Sequence, residues 1–370
     1  MKPRLLLVAR ERYRLPLDEP LRRKFEALES EFELRVLASA ADGVQAGDER
    51  FRLVRPLPLL DGPAFYLALP ARVARELRSF GPDAVLVQGT HETAAALLGR
   101  SLASSAVPVI LDLHGNWRAA TRLYGSPQRR LLGPAGDLLA RAAVRRADAV
   151  RTISDFTTGL VRELGREPAA VFPAYVDLAS FLERPPAELP GQPAALFVGV
   201  LERYKNVDGL AAAWRLAAAR VPGARLSVVG RGRERALVER LVSERPSQTA
   251  YTPVLPADEI ARALDEATVL VLPSRSEGLP RVVIEAFCRG RGVVGSRAGG
   301  IPDLVEHERN GLLVDGGDPE ALADALVRVL TDRDLAVRLG AGARASADRW
   351  VATPEEFARR LRGLVDAART

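Results

Sequence analysis

The chain has 370 residues, of which 47% are hydrophobic and 27% are charged. This length suggests two domains at roughly 100 to 200 residues per domain, and the composition excludes a disordered or fibrous protein. The net charge of +6 comes from 53 Lys and Arg against 47 Asp and Glu. Because the basic residues are spread along the chain without aromatic interleaving, we expect no nucleic-acid partner.

The cysteine, the histidines and the apolar runs argue against a disulfide-bonded, metal-binding, secreted or membrane-spanning protein. Cys288 is the only cysteine, so no intrachain disulfide can form. His91, His114 and His307 stand too far apart for metal-ligand spacing, and we predict no metal site. The apolar run 5–9 is too short for a signal peptide, and no run approaches the roughly 20 residues that span a bilayer. We therefore expect a soluble, cytoplasmic protein.

In chain order, short Val/Ile/Leu-rich runs alternate with longer Ala/Leu/Arg-rich runs of helical period. This alternation predicts α/β structure, with parallel sheets covered by helices on both faces. The predicted elements of the first half are strands at 4–9, 34–38, 84–88, 109–113, 149–152 and 170–172, and helices at 20–30, 64–80 and 131–146.

A proline-rich segment divides the chain near its middle. Pro185, Pro186 and Pro190 lie close together there, and such a segment forms neither a helix nor a central strand. We therefore predict two doubly wound domains, 1–185 and 186–352. The predicted strands of the second are 194–198, 225–229, 269–272, 292–295 and 311–314.

Ligands of such sheets bind beyond the carboxyl ends of the strands, which is where the segment 273–287 begins. Gly278 allows close approach of the backbone, and Pro280 suits the first position of the following helix. The N–H groups and positive dipole end of this helix form a site suited to a diphosphate. Glu277 and Glu285 bracket that site, and carboxylates accept hydrogen bonds from sugar hydroxyls. The alternative is that Glu277 only complements the helix dipole and Glu285 faces water.

Two cations, Arg203 and Lys205, follow the strand that leads to Gly199. Breaking a sugar–phosphate bond builds negative charge on the diphosphate, and a positive group must stabilise that charge. Because we predict no metal site, these side chains would take the place of a metal ion.

The segment 273–287 resembles the glutamate-pair motif of glycosyltransferase family 4, whose members are retaining enzymes with the GT-B fold. Residues 299–305 and 310–314 resemble the next two blocks of that family, in the expected order. Upstream, 197–199 and Lys205 resemble an earlier block. The resemblance covers nearly all of the second half.

The resemblance implies two Rossmann-like domains that face a central cleft, with a C-terminal helix at 353–370 packing back on the first domain. It implies a retaining glycosyltransferase that moves a sugar from a UDP- or GDP-sugar to a saccharide, lipid-linked or small-molecule acceptor. The transfer would proceed by same-face attack, with neither a metal nor another cofactor. Two alternatives stay open: a nucleotide-sugar epimerase, and a catalytically silent nucleotide-sugar-binding subunit.

The resemblance also implies roles for single residues. Glu277 would contact the transferred sugar, Glu285 the nucleotide ribose, and Lys205 the phosphates. The other residues implied to bind the donor are Gly199, Gly278, Leu279 and Pro280, with Val254 in the stretch 251–256 that holds the nucleobase.

Two positions depart from the family pattern. Val200 stands where the family usually has an arginine, and we hypothesise that Arg203 supplies the missing charge. The alternative is that Arg203 belongs to a solvated charge run. The loop after the first strand lacks the usual glycines, so Tyr13 and Arg14 become candidates for the ligand site.

On the acceptor side, His114 follows the strand 109–113. By resemblance, this histidine faces the donor sugar; the alternative is that it caps a loop. His91 and Asp155 also follow strands, and for them we expect a hydrogen bond within the loop or at the start of a helix.

The stretch 118–146 carries arginines among leucines and alanines. One hypothesis is that this basic amphipathic surface rests on anionic lipid at the inner membrane face. The alternative is a solvated helix face over a core. The arginines concerned are Arg122, Arg129, Arg130, Arg141, Arg145 and Arg146.

Overall fold

The structure is a computed structural model in which the chain forms two compact units. It describes residues 1–41, 48–55, 61–119 and 127–370. For residues 61–63 and 127–132 it describes the backbone alone.

The first unit comprises Met1–Tyr175 and Ala352–Thr370, and the second comprises Val176–Val351. Leu178 and Phe181 pack into a core of the second unit. The division therefore lies ahead of the proline-rich segment instead of at 185/186.

The first unit is built on a parallel sheet. Its strands β1 to β7 span Arg4–Tyr13, Glu33–Ala40, Phe51–Val54, Ala84–Gln88, Val109–Leu113, Ala149–Thr152 and Ala170–Val171. Among the described residues, seven strands lie in the order β3-β2-β1-β4-β5-β6-β7. Its helices α1 to α5 span Glu19–Glu31, Asp61–Ser79, Thr90–Leu102, Pro127–Arg146 and Asp155–Arg162, and the C-terminal helix, numbered α14 in chain order, spans Pro354–Arg369.

Successive residues of β1 enter cores on opposite faces of this sheet, as strand geometry requires. Leu5 packs in one core with Phe25 of α1 and Leu361 of α14. Leu6 packs in the other core with Phe65 of α2. The C-terminal helix thus packs on α1, while α2, α3 and α4 pack in succession on the other side.

The second unit repeats this plan. Its strands β8 to β13 span Ala194–Val198, Arg225–Val229, Thr249–Thr252, Val269–Leu272, Gly292–Ser296 and Gly311–Val314. They form a six-stranded parallel sheet within the described residues, in the order β10-β9-β8-β11-β12-β13. Its helices α6 to α13 span Ala179–Leu182, Val207–Arg220, Arg235–Glu244, Ala257–Asp265, Arg281–Cys288, Ile301–Leu304, Pro319–Thr331 and Arg333–Ala347.

The doubly wound α/β prediction is confirmed in both units, but it did not include two of the strands that the structure shows. These are β3 and β10, which are short and lie at sheet edges. Both are only four residues long and mix polar with apolar residues, so their sequences give a weaker signal than mostly apolar strands do.

The prediction that Tyr13 reaches a ligand is wrong. β1 continues to Tyr13, which pairs with Ala40 of β2. The tyrosine is 4% exposed, and its ring packs edge-on against Phe25 and Phe51. The residues after 9 therefore extend the sheet rather than form a loop, and Arg14 directly follows the strand with an exposed side chain.

A buried ion pair joins β5 to β6 in the first unit. Arg151 is fully buried; its Nη1 donates to Asp112 Oδ1, and its Nη2 donates to the carbonyl oxygens of Phe172 and Pro173. Burial acts to raise the pKa of Asp112, but the charges of Arg151 and His114 outweigh it and hold the pKa well below its usual value. The carboxylate therefore stays ionised inside the sheet.

Replacing Arg151 tests the importance of this pair. Arg151→Met leaves Asp112 buried without its counter-ion, and we expect the free energy of unfolding at neutral pH to fall by about 3–5 kcal/mol. Because the folded-state pKa of Asp112 is lowered, the contribution of the pair is complete above about pH 4 and declines as the pH falls further. The difference between variant and parent, measured by urea denaturation, should therefore shrink in acid.

The matched control is Arg22→Met, which breaks the exposed pairs of Arg22 with Glu19 and Glu26 on α1. We expect little change in stability, because exposed pairs contribute little. Equal losses in the two variants would contradict a special role for the buried pair.

Candidate functional site

The central contact between predicted site residues is an ion pair in the second unit. Lys205 Nζ donates to Glu277 Oε1 at 2.7 Å, and each side chain is only 10% exposed. Lys205 follows β8 and Glu277 follows β11, and these strands are neighbours in the sheet. The structure thus brings two of the predicted residues together beyond the carboxyl ends of the strands, where ligands of such sheets bind.

Asn206 holds the loop that carries Lys205. It follows the 3-10 helix Arg203–Lys205, has a φ of +58° and is 1% exposed. Its Nδ2 donates to the carbonyl oxygens of Pro273 at 3.0 Å and Gly316 at 2.7 Å. One side chain therefore ties together the loops after β8, β11 and β13. Sequence reasoning missed this residue, although asparagine ahead of a helix is a signal for left-handed backbone.

Arg275 makes a second link between the same loops, and it too was missed. Its backbone N–H donates to the Tyr204 carbonyl at 2.6 Å. Its guanidinium donates to the Arg203 carbonyl at 2.7 Å and to Asp208 Oδ2 at 2.8 Å. Burial acts to raise the pKa of Asp208, but the bond and charge of Arg275 outweigh it and hold the pKa below its usual value.

The glycine pair after β12 packs directly on the backbone of the Glu277 loop. A Cβ at Gly300 would lie 1.9 Å from the carbonyl oxygen of Gly278. A Cβ at Gly299, where φ is +57°, would lie 2.2 Å from the carbonyl oxygen of Glu277. The Gly300 N–H also donates to that oxygen at 3.0 Å. Only glycines permit this contact, which explains why the pair belongs to the motif.

Helix α10 begins one residue later than predicted. Pro280 has a ψ of 107° and is the N-cap, so the first helical residue is Arg281 and not the proline. Burial raises the pKa of Glu285, and the positive charges of Arg281 and Lys205 counteract part of this effect. Glu285 is therefore within the electrostatic reach of the ion pair. Leu279 is half-buried and packs against the core below the loop.

The remaining donor-side residues lie around this loop system with less specific contacts. A Cβ at Gly199 would lie 3.4 Å from Lys205 Cε, so the glycine leaves room for the lysine stem. Arg203 shares the 3-10 helix with Lys205 and has an exposed side chain. Val200 is 46% exposed, and Val254, between β10 and α9, is 55% exposed. The roles of Arg203 and Val254 stay predictions.

In the first unit, both ring nitrogens of His114 have protein partners. Nε2 lies 2.9 Å from Asp112 Oδ2, and Nδ1 lies 3.2 Å from Gln88 Nε2. Because ionised Asp112 can only accept, Nε2 carries a proton and donates it, and in the neutral ring Nδ1 accepts from the Gln88 amide. The half-buried imidazole is thereby fixed in orientation, and its role towards a sugar stays a prediction.

The weaker candidates of the first unit have local partners. Ser154 caps α5: its Oγ accepts from the Thr157 N–H at 3.2 Å, and Thr157 Oγ1 accepts from the Ser154 N–H at 3.0 Å. The predicted helix start is confirmed, with Asp155 as the first helical residue. The ring of His91 lies 6.2 Å from that of Tyr66.

Within the described ranges, neither a metal cluster nor a membrane-crossing helix is found. No three side chains of His, Cys, Asp or Glu stand close enough to hold one ion. No helix there combines the length and hydropathy needed to cross a bilayer. Metal independence stays a prediction.

Two family models for glycosyltransferases match this chain, one in each half. The family model described as "Glycosyl transferases group 1" matches residues 192–332. The model described as "Glycosyl transferase 4-like domain" matches residues 21–174. The two matches fall in the second and the first unit, respectively.

A relative and two solved structures agree with these matches. The GDP-mannose-dependent alpha-(1-6)-phosphatidylinositol monomannoside mannosyltransferase of Mycobacterium tuberculosis is 30% identical over 276 residues, which cover 68% of this chain and 71% of the relative. Sucrose-phosphate synthase from Thermosynechococcus elongatus is 21% identical, with a TM-score of 0.79 over 98% of this chain and 100% of the other. HepE from Anabaena, solved with UDP, is 18% identical, with a TM-score of 0.68 over 97% and 99%. The chain therefore has the GT-B fold and belongs to the family 4 glycosyltransferases.

Proposed function

We propose that the second unit binds a nucleotide diphosphate sugar and that Lys205 and Glu277 act on it together. The observation that carries this proposal is their buried ion pair. Removing two ions from water costs several kcal/mol per ion, and a hydrophobic replacement is often no less stable. The stability of the fold therefore does not by itself account for the pair, and a role in binding does.

The diphosphate is proposed to lie between Lys205 and the N-terminus of α10. The start of that helix at Arg281 offers N–H groups and a positive dipole end. Lys205 donates one of its three N–H groups to Glu277, and the others suit phosphate oxygens. Glu285 would accept hydrogen bonds from the ribose, which favour its charged form against the effect of burial.

The proposed transfer is a same-face substitution. The bond between the anomeric carbon and the leaving phosphate oxygen breaks, and the acceptor oxygen bonds to that carbon from the same face, so the configuration is retained. The acceptor proton passes to an oxygen of the departing diphosphate. Lys205, Arg203 and the start of α10 stabilise the charge that develops there, and Glu277 holds the hydroxyls of the transferred sugar. No step of this scheme requires a metal.

The first unit is proposed to handle the acceptor, with His114 turned towards the sugar. The fixed orientation of its ring supports a positioning role. The acceptor would be a saccharide, lipid-linked or small-molecule hydroxyl compound. The M. tuberculosis relative is named for transfer to a phosphatidylinositol monomannoside, which supports a lipid-linked saccharide.

A thermal-shift panel of UDP- and GDP-sugars tests donor binding. A ligand that binds only the folded protein stabilises it by about 2.7 kcal/mol at 100 times its Kd, so we expect the true donor to raise the Tm clearly. Both bases belong in the panel, because the M. tuberculosis relative is GDP-mannose-dependent and HepE was solved with UDP.

The selected donor is then incubated with and without candidate acceptors, and the anomeric configuration of the product is determined by NMR. We expect transfer with retention. Inversion would contradict same-face attack, conversion of the donor without an acceptor would indicate the epimerase, and binding without turnover would indicate the silent subunit.

Removing the cations separates their contributions. Lys205→Ala should lower kcat/KM for transfer by about 100-fold or more, because a buried positive group facing the leaving phosphate is lost. Arg203→Ala should lower it by about tenfold, because this exposed side chain acts through water-screened charge. Arg220→Ala, on the exposed surface of α7, is the control. If Lys205→Ala behaved like the control, the proposed role of the lysine would be wrong; unchanged transfer in Arg203→Ala would remove Arg203 from the site.

Gly300→Ala tests the packing of the Glu277 loop. The added Cβ would lie 1.9 Å from the Gly278 carbonyl oxygen, so the loop must shift, and we expect the donor Kd to rise by about tenfold. Gly223→Ala in the same unit is the matched control, since its Cβ would meet nothing within 4 Å. Both variants are titrated with donor in a calorimeter. Equal donor affinity in the two would show that the glycine contact does not position the site.

A further inference from the structure

The loop after β9, residues 230–234, lies beside the loop that carries Lys205. It begins with the sequence Gly-Arg-Gly-Arg, which lacks the third glycine of a dinucleotide-binding fingerprint. β9 is the neighbour of β8 in the parallel sheet. The two loops therefore leave the sheet side by side, beyond the carboxyl ends of the strands, where ligands of such sheets bind.

The pairing of β8 with β9 continues beyond the ends of both strands. The last residues of the two strands, Val198 and Val229, are partners in the register. A further backbone hydrogen bond keeps this register, since the Leu201 N–H donates to the Arg231 carbonyl at 2.8 Å. Two residues on from the last strand pair, Arg231 therefore lies beside Val200.

Two glycines hold the backbone of Arg231 in this place. A Cβ at Gly230 would lie 1.8 Å from the carbonyl oxygen of Gly199, and a Cβ at Gly232 would lie 2.2 Å from that of Leu201. Leu201 is fully buried, so the contact belongs to the packed part of the unit. Any side chain at 230 or 232 would push the arginine away from the neighbouring loop.

The side chain of Arg231 is exposed, and within the described residues it has neither an ion-pair nor a hydrogen-bond partner. Other arginines are paired: Arg235 at the start of α8 pairs with Glu239, and Arg141 in the first unit pairs with Asp137. Arg231 is thus a positive charge that a ligand can take up. Of the other arginines in the basic stretch 118–146, Arg122 and the side chains of Arg129 and Arg130 lie outside the described residues.

The order of the strands places Arg231 between two parts of the predicted donor site. β9 lies between β10, which precedes the stretch 251–256 predicted to hold the nucleobase, and β8, which precedes Lys205. Neighbouring strands are about 4.8 Å apart. A nucleotide that extends from the end of β10 to the end of β8 must therefore pass the end of β9, where Arg231 stands.

We propose that Arg231 binds the diphosphate of the donor and provides the positive charge that Val200 does not. Its guanidinium would donate hydrogen bonds to the phosphate oxygens from the side of the nucleoside, and charge-assisted bonds of this kind are strong. Arg203 lies further along the chain, in the 3-10 helix, and keeps its own predicted role. The inference rests on the proposed function of the second unit, because it requires a nucleoside diphosphate to bind there.

Calorimetric titration with UDP and with GDP tests this inference. The parent protein should bind at least one of them, and Arg231→Ala should raise its Kd by about tenfold, because a charge-assisted hydrogen bond to phosphate is lost. The control is Arg240→Ala on α8, whose side chain is also exposed and which should leave the Kd unchanged. If neither nucleotide bound the parent, the proposed function would be wrong as well. Binding by the parent with equal Kd values in the two variants would overturn the role of Arg231 alone.

A second substitution tests the position of the charge. Val200→Arg places a guanidinium on the neighbouring backbone, at a position that is already exposed. Combined with Arg231→Ala, it should restore most of the lost affinity. Val200→Gln combined with Arg231→Ala is the matched control, since it adds a polar side chain without charge and should restore none. Unchanged thermal transitions establish that the variants are folded. No restoration by Val200→Arg, or equal restoration by Val200→Gln, would show that the two positions do not serve one phosphate site.

Discussion

Two opposite charges can lie buried together only if the chain holds them within hydrogen-bond distance, and this requirement organises the second unit. Lys205 and Glu277 are 72 residues apart in sequence and belong to different loops. Asn206 and Arg275 supply the cross-links that fix those loops, through backbone carbonyls and Asp208. The glycine contact after β12 fixes the Glu277 loop from the other side. A site of this kind is rigid before its ligand arrives, which limits the ordering that binding requires.

The first unit also contains a buried pair of opposite charges, Arg151 and Asp112, but this pair orients a histidine. Arg151 neutralises Asp112, Asp112 orients His114, and Gln88 occupies the other nitrogen of the ring. Both ring nitrogens of the histidine are held by protein groups, so this chain of contacts fixes its position. The two units thus differ in their chemistry although their sheets share one plan. That difference agrees with a proposal in which the diphosphate belongs to the second unit.

The sequence predicted the central strands closely and the connections between loops not at all. β4, β5, β6, β8, β9 and β11 have the predicted bounds, because a central strand buried on both faces is a mostly apolar run between turn residues. β3 and β10 are edge strands of mixed polarity and give no such signal. At the site, family resemblance identified Glu277 and Lys205, but not that they pair. Asn206 and Arg275 act on carbonyls 67 to 110 residues away, and no local pattern encodes such partners.

The cation at the site is a lysine, Lys205, and not an arginine, and the two side chains differ in the number of hydrogen bonds that they donate. Lysine is rare in this chain, where Lys2, Lys24 and Lys205 are the only lysines among 53 basic residues. Its buried arginines serve as cross-links: Arg291, for example, donates to the carbonyl oxygens of Leu264, Ala187 and Asp265. A planar guanidinium with five donors is suited to tying segments together, whereas an ammonium on a flexible stem is a compact charge. Lys205 packs its stem along Gly199 and commits a single hydrogen bond to Glu277. An arginine there would need more room and more partners, so the lysine is better explained by a ligand that takes up its remaining donors than by the folding of the loop.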